Sequence, residues 1–196
     1  MSKKIVALLL CFICCVSVLF SGCSEARRID TAALAENVTV DTVDGKPVYT
    51  LFLLTSEDKP CGIDVPADSF EEACDLAENR YIPNISLARI DMIMINEELY
   101  KDVMKSDIEY ISTQPVYSPN LKVTLCDSNT VKRMKEEKRV PEIIDNELML
   151  TENSTEKVNT TCLSIFNSFS ESNDDFSVAY ISAEKELKIE TMKIRL

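Results

Sequence analysis

Thiols and carboxylates are the side chains of this 196-residue sequence that could most readily do chemistry: it holds eight Cys, 33 Asp and Glu, and no His. A cysteine nucleophile needs a base, and without His only a Lys or a helix amino terminus is left to generate the thiolate. No spacing sets either beside Cys61, Cys74, Cys126 or Cys162. The carboxylates form neighbouring pairs, Glu71-Glu72, Glu97-Glu98, Glu136-Glu137 and Asp174-Asp175. Adjacent side chains diverge on a helix or strand, so no pair converges on one reacting bond. Asp41-Thr-Val-Asp44 lacks the ligand spacing and closing Glu of a calcium loop. The missing His also excludes a Ser-His-Asp triad, His-ligated zinc and an imidazole pH switch. Gly22, Gly45 and Gly62 lie far apart, which excludes a dinucleotide fingerprint and a phosphate-cradling loop. A net charge of -12 excludes nucleic acid, which needs a basic face. The chain reads as a non-enzyme with no cofactor and no metal-ligand set.

One cysteine stands apart. Cys23 follows Ser21-Gly22 and an uncharged run, residues 5–20, which follows Lys3-Lys4. A basic start, an apolar run and small residues before a cut make an export signal. As a helix the run covers about 24 Å, short of the roughly 30 Å hydrocarbon core that a retained span must cross. Phe20-Ser21-Gly22-Cys23 resembles a bacterial lipobox, in which the Cys thiol takes a diacylglycerol and becomes the new amino terminus. The expected organisation is a lipoprotein signal peptide over 1–22, a lipidated tether over 23–34 and one domain over 35–196. A plainly cleaved signal and a retained helix are the alternatives. The acidic body would be repelled by an anionic leaflet, so attachment to the membrane would rest on the acyl chains at Cys23, each buried methylene contributing ~0.8 kcal/mol.

Cys11, Cys14 and Cys15 belong to the signal, which leaves Cys61, Cys74, Cys126 and Cys162 for the domain. An exported protein can oxidise them, and four cysteines allow three full pairings. Cys74 and Cys162 fall on apolar helix faces, where a thiol serves as a small hydrophobe. Free thiols, a disulfide and a metal-binding or reactive role all stay open at this level. Asn-x-Ser/Thr triplets at Asn37, Asn84, Asn153 and Asn159 are chance matches behind a bacterial lipobox.

The elements that must position these residues follow from periodicity. Residues 35–41 and 48–54 are β-rich runs around Asp44-Gly45, a hairpin whose second strand is apolar enough to lie centrally. Residues 55–68, with Pro60, Gly62 and Pro66, read as a loop. Ser69-Phe70-Glu71-Glu72 is a capping box, opening a helix with Phe70, Ala73, Cys74 and Ala77 on one face. Residues 87–95 read as a buried strand, and Asn96 opens a helical stretch, 97–113, with a break at Lys105-Ser106. Residues 121–126 alternate, with Leu121, Val123 and Leu125 inward. Residues 128–138 form a polar, exposed helix. Its cluster Lys132-Arg133, Lys135 and Lys138-Arg139 reads as a solvated face, with an acidic-partner or lipid-headgroup contact as the functional alternative. Pro141 suits the first turn of a helix carrying Ile143, Ile144 and Leu148. Val158, Cys162, Ile165, Phe166 and Phe169 mark the strongest amphipathic helix. Residues 176–181 and 187–196 alternate like terminal strands paired at a sheet edge. The slip between Ile189 and Met192 suggests a bulge or a change of sheet face. The fold class expected is α/β or α+β, a single domain with a mixed β-sheet, helices on at least one face and a terminal hairpin.

In order, these pieces resemble a known family. Cys23, Arg27, Arg28, Leu34, Ala35, Val40, Asp41, Gly45 and Tyr49 match the amino-terminal region of the Ger(x)C spore-germination lipoproteins, the C subunits of GerA-type nutrient germinant receptors. The Ser69-Phe70 helix start, Asn96-Glu97-Glu98-Leu99 and the strand pair from Phe176 are similar too. The resemblance implies a lipid-anchored extracytoplasmic subunit at the spore inner membrane. Such a subunit acts with polytopic membrane receptor subunits in germination, by binding and assembly rather than catalysis. It implies no cofactor, names no ligand, and carries over one site residue, Cys23, for lipidation. Full-length members have two further domains. The alternative is an unrelated bacterial surface lipoprotein acting as an adaptor or solute-binding module.

Overall fold

The computed structural model describes residues 33–56, 59–152, 158–170, 175–184 and 186–195. Cys23, the expected signal and most of the expected tether, Asn153 and Leu196 lie outside the described residues. Asp44 and Gly45 take positive φ, 52° and 75°, in the two-residue turn that twisted hairpins favour. They fold β1 (Ala33–Val43) back on β2 (Lys46–Leu53) in antiparallel register, with an irregularity between Ala35 and Asn37. β3 (Cys61–Pro66) extends the pair as an edge strand, so the expected loop over 55–68 is corrected to contain a strand. Pro60 and Pro66 sit at its ends, where they cost few ladder bonds. Gly62 is required by close approach: a Cβ there would meet Thr50 Cγ2 at 2.9 Å and the Phe52 ring at 3.1 Å.

The Ser69 hydroxyl caps α1 (Phe70–Leu76), accepting from Glu72 N–H, while Glu72 reaches back to Asp68 N–H. A π turn, Ala77–Tyr81, continues it. The short β4 (Ile85–Ser86) pairs in parallel with the start of β1. β5 (Met92–Asn96) is buried along its whole length. It is shorter than the expected 87–95 strand, because exposed Arg89 and Asp91 cannot enter a strand covered on both faces. Asn96 closes β5 rather than opening a helix.

Helix α2 (Tyr100–Thr113) runs unbroken through Lys105-Ser106, against expectation. Its inward stripe, Val103, Met104, Asp107, Ile108 and Ile111, is continuous once Asp107 is counted as facing in. Strand β6 (Lys122–Cys126) leads to α3 (Ser128–Glu136), α4 (Val140–Glu152) and α5 (Cys162–Ser170). α3 is less exposed than expected, since Thr130, Val131 and Met134 are buried. Val158 lies before α5, not in it. The chain finishes with β7 (Phe176–Ser182) and β8 (Lys188–Ile194). Their antiparallel register is regular from Phe176↔Ile194 to Ser182↔Lys188, so β8 has no bulge.

The mixed sheet runs β3-β2-β1-β5-β6-β7-β8, with β1, β5, β6 and β7 mutually parallel and antiparallel pairs on both flanks. The arrangement is α+β, one sheet between two helical layers. One face packs Val38, Leu51, Ile95 and Leu125 beneath α1, α2 and α5. The other packs Met92, Met94 and Ile181 beneath Val131, Met134, Ile144 and Leu148 of α3 and α4. This explains the slip in β8: Met192 packs with the first core, Ile189 with the second. Buried Thr39 and Thr124 alternate onto the second face, and their hydroxyls have no protein partner.

Candidate functional site

Parallel sheets place ligand sites beyond the carboxyl ends of their strands, where loops and helix starts meet. Here that end carries a polar cluster. Asn96 Nδ2 donates to Asp41 Oδ1 at 2.6 Å and to Ser128 Oγ at 2.8 Å, and Asn96 Oδ1 accepts from Glu98 N–H. Asp127 caps α3 by accepting from Thr130 N–H and Oγ1, and its other oxygen accepts from Ala183 N–H. The Tyr180 hydroxyl donates to Glu97 Oε1 at 3.1 Å; burial and this carboxylate hold its pKa above the usual phenol value. These groups satisfy one another, so the cluster ties the ends of β1, β5, β6 and β7 together. Among the described residues no group of three or more Cys, Asp or Glu is placed to hold a metal ion.

The four thiols do not assemble. All are free; Cys61 is exposed at the start of β3, and Cys74, Cys126 and Cys162 are buried. Burial pushes the Cys74 thiol up to about 12, with a partly offsetting contact to the Tyr117 hydroxyl at 3.6 Å. Cys126 is raised well above its ordinary value by burial, and Cys162 is raised by burial against a 3.4 Å contact with Ser112 Oγ. A thiol so held stays protonated and packs as a small hydrophobe.

The basic cluster is largely spoken for. Arg133 binds Glu137, Lys135 donates to Asp64 Oδ1 at 2.8 Å, Lys138 donates to the Thr55 carbonyl, and Arg139 lies 3.8 Å from Glu142. Burial raises the Asp64 carboxyl, but hydrogen bonds from Lys135 and Thr50 outweigh it and the net shift is downward. Lys135 and Lys138 fasten the α3–α4 layer to β3 and to the chain just after β2, and the Lys122–Asp145 pair fastens it to β6.

A concavity with accessible walls lies at the opposite end of the sheet, a groove of about 420 Å³ between the end of α2, the loop 114–119 and the start of α5. Ile111, Pro115, Tyr117, Pro119 and Leu163 supply apolar walls, Ser112, Gln114 and Ser118 polar ones, and no lining residue is charged. It suits a neutral, part-apolar group and offers no acid–base pair. Its two halves are joined where Cys162 N–H donates to the Leu121 carbonyl and Leu163 N–H to that of Pro119. Sequence reading missed it, because its walls come from segments more than forty positions apart and no local pattern links them. Cys23, the one site residue expected from sequence, lies outside the described residues, and no described helix is long and apolar enough to cross a membrane.

Residues 25–183 match the family model described as the spore germination protein N-terminal domain. No curated protein and no solved structure matches the chain.

Proposed function

The chain belongs to the spore germination protein N-terminal domain family, and from that premise we propose that it is a lipid-anchored, extracytoplasmic subunit of a spore nutrient-germinant receptor. It is attached through acyl chains on Cys23, sits at the spore inner membrane and acts by binding and assembly rather than by catalysis. The observation that carries this reading is the family match, which begins two residues after the lipobox cysteine and runs through β7. Its partners are polytopic receptor subunits in the same membrane.

The fold suits a scaffold. Its polar cluster and buried thiols are consumed in holding the sheet together. β8, at the end of the strand order, offers an outer edge whose backbone groups can pair with a partner strand. Spores lacking the gene should lose germination with one class of nutrient while still germinating under a nutrient-independent trigger. Full nutrient germination by such spores, or recovery of no membrane subunit with a tagged copy of the protein from otherwise wild-type spores, would contradict the reading.

A further inference from the structure

The two faces of the sheet are unlike. The first carries Val40, Leu51, Ile95, Leu125 and Val178, all buried in one core beneath α1, α2 and α5. Across the second face the strand register sets a polar row. Thr50 of β2 lies opposite Thr39 of β1, which lies beside Met94 of β5, which lies beside Thr124 of β6. At the β3 edge the row ends on Asp64, which stands opposite Thr50 and accepts from its hydroxyl at 2.6 Å. Thr39 and Thr124 are 0% exposed, and their hydroxyls find no protein partner. A hydroxyl buried without a new hydrogen bond disfavours the closed arrangement.

The layer that closes over this row is thin. α3 buries Thr130, Val131 and Met134, and α4 adds Val140, Ile144 and Leu148. Met134 shares a cluster with Met92 and Met94, thioether side chains that repack at low cost. Polar contacts fasten the layer around its rim: Asn96 to Ser128 at the start of α3, Lys135 to Asp64, Lys138 to the Thr55 carbonyl and Lys122 to Asp145. Solvent-exposed ion pairs of this kind contribute modestly. The two helices follow one another across residues 137–139, and every strand lies outside 128–152, so both can leave without breaking a ladder. We propose that α3 and α4 are a displaceable cover that leaves the second face as one unit while the sheet and its first-face helices stay folded. The Thr39 and Thr124 hydroxyls weaken the cover, and the rim contacts hold it shut. The device regulates access to that face, and it depends on neither the anchor nor the receptor reading.

Detached helices of 9 and 13 residues are marginal in water, so their amides exchange once the cover opens. Hydrogen exchange of the full-length protein in detergent micelles reads this directly. The amides of α3 and α4 should share one opening, at least about tenfold more frequent than that of the interiors of β5 and α2. That opening should depend less on urea, because it exposes less surface. Thr39→Val combined with Thr124→Val removes the orphan hydroxyls at nearly equal shape and should slow α3–α4 exchange about tenfold. Lys135→Ala, a change at the surface, should speed it about threefold. Exchange of α3 and α4 with the frequency and urea dependence of β5 and α2 overturns the proposal, as does exchange unchanged by the paired valine substitutions. If the doubly substituted protein does not fold, the wild-type comparison and Lys135→Ala decide, and exchange not accelerated by Lys135→Ala overturns it.

Discussion

The Tyr49 hydroxyl donates to Asp107 Oδ2 at 2.8 Å, joining the centre of β2 to the inward face of α2. The other carboxylate oxygen accepts from Phe70 N–H at 2.9 Å, at the start of α1, so one side chain binds three elements. Burial pushes the Asp107 carboxyl up to about 6, against hydrogen bonds from Phe70 and Tyr49 that favour its ionised form.

The sign of the resulting pH dependence follows. A carboxyl raised in the folded state contributes stability that is fully present below its unfolded value near 3.8 and is lost as pH rises through about 6. The full shift corresponds to about 3 kcal/mol. Asp107→Asn keeps an acceptor for Phe70 and can donate to the Tyr49 oxygen, without a charge to bury. Its unfolding midpoint relative to wild type should therefore improve from pH 4 to about pH 6 and then level off. A difference that does not change with pH would rule out Asp107 as the titrating group.

Thiol reactivity should divide one against three. In folded protein at pH 8, Cys61 should be alkylated quickly, and Cys74, Cys126 and Cys162 only after unfolding, because burial both shields them and holds them protonated. Cys74→Ala and Cys162→Ala should each destabilise by roughly 1 kcal/mol through lost apolar volume. Mass spectrometry without reduction checks the first claim; a peptide crosslinking Cys74 to Cys162 would refute it.

The hairpin was legible because Asp44-Gly45 can take positive φ where other pairs cannot, and α1 because Ser69 and Glu72 carry a capping box. The β7–β8 pair was legible from alternation. β3 was not: Pro60, Gly62 and Pro66 are turn residues in local terms, and only the neighbouring Thr50 and Phe52 show that Gly62 serves packing. Nor was the continuity of α2, since an inward Asp107 looks like a gap in an apolar stripe until Tyr49 and Phe70 N–H are placed against it. The groove was invisible for a related reason, its walls meeting only in the folded chain. Cys23 is the opposite case, an expectation from a local motif that lies outside the described residues.

Overpacking supplies a third test. Gly62→Ala places a methyl 2.9 Å from Thr50 Cγ2, on a stiff β-branched side chain in a central strand. The expected cost is ~1–3 kcal/mol in denaturant unfolding. An unchanged midpoint would show that β3 can shift away from β2 freely.

The carboxyl-terminal strand should be structural. Ile194 is 2% exposed and pairs with Phe176. Ile194→Ala should cost at least about 2 kcal/mol, and deletion of residues 187–196 more. Rapid amide exchange throughout β8 would contradict this.

The central claim is attachment through Cys23, and acylation of that residue tests it most directly. Cells making the full-length protein are fed labelled palmitate, and wild type is compared with Cys23→Ala. The account predicts label on the wild-type protein and none on the variant, which should persist as an uncleaved precursor. Equal incorporation into both, or none into either while the signal is still removed, would contradict it.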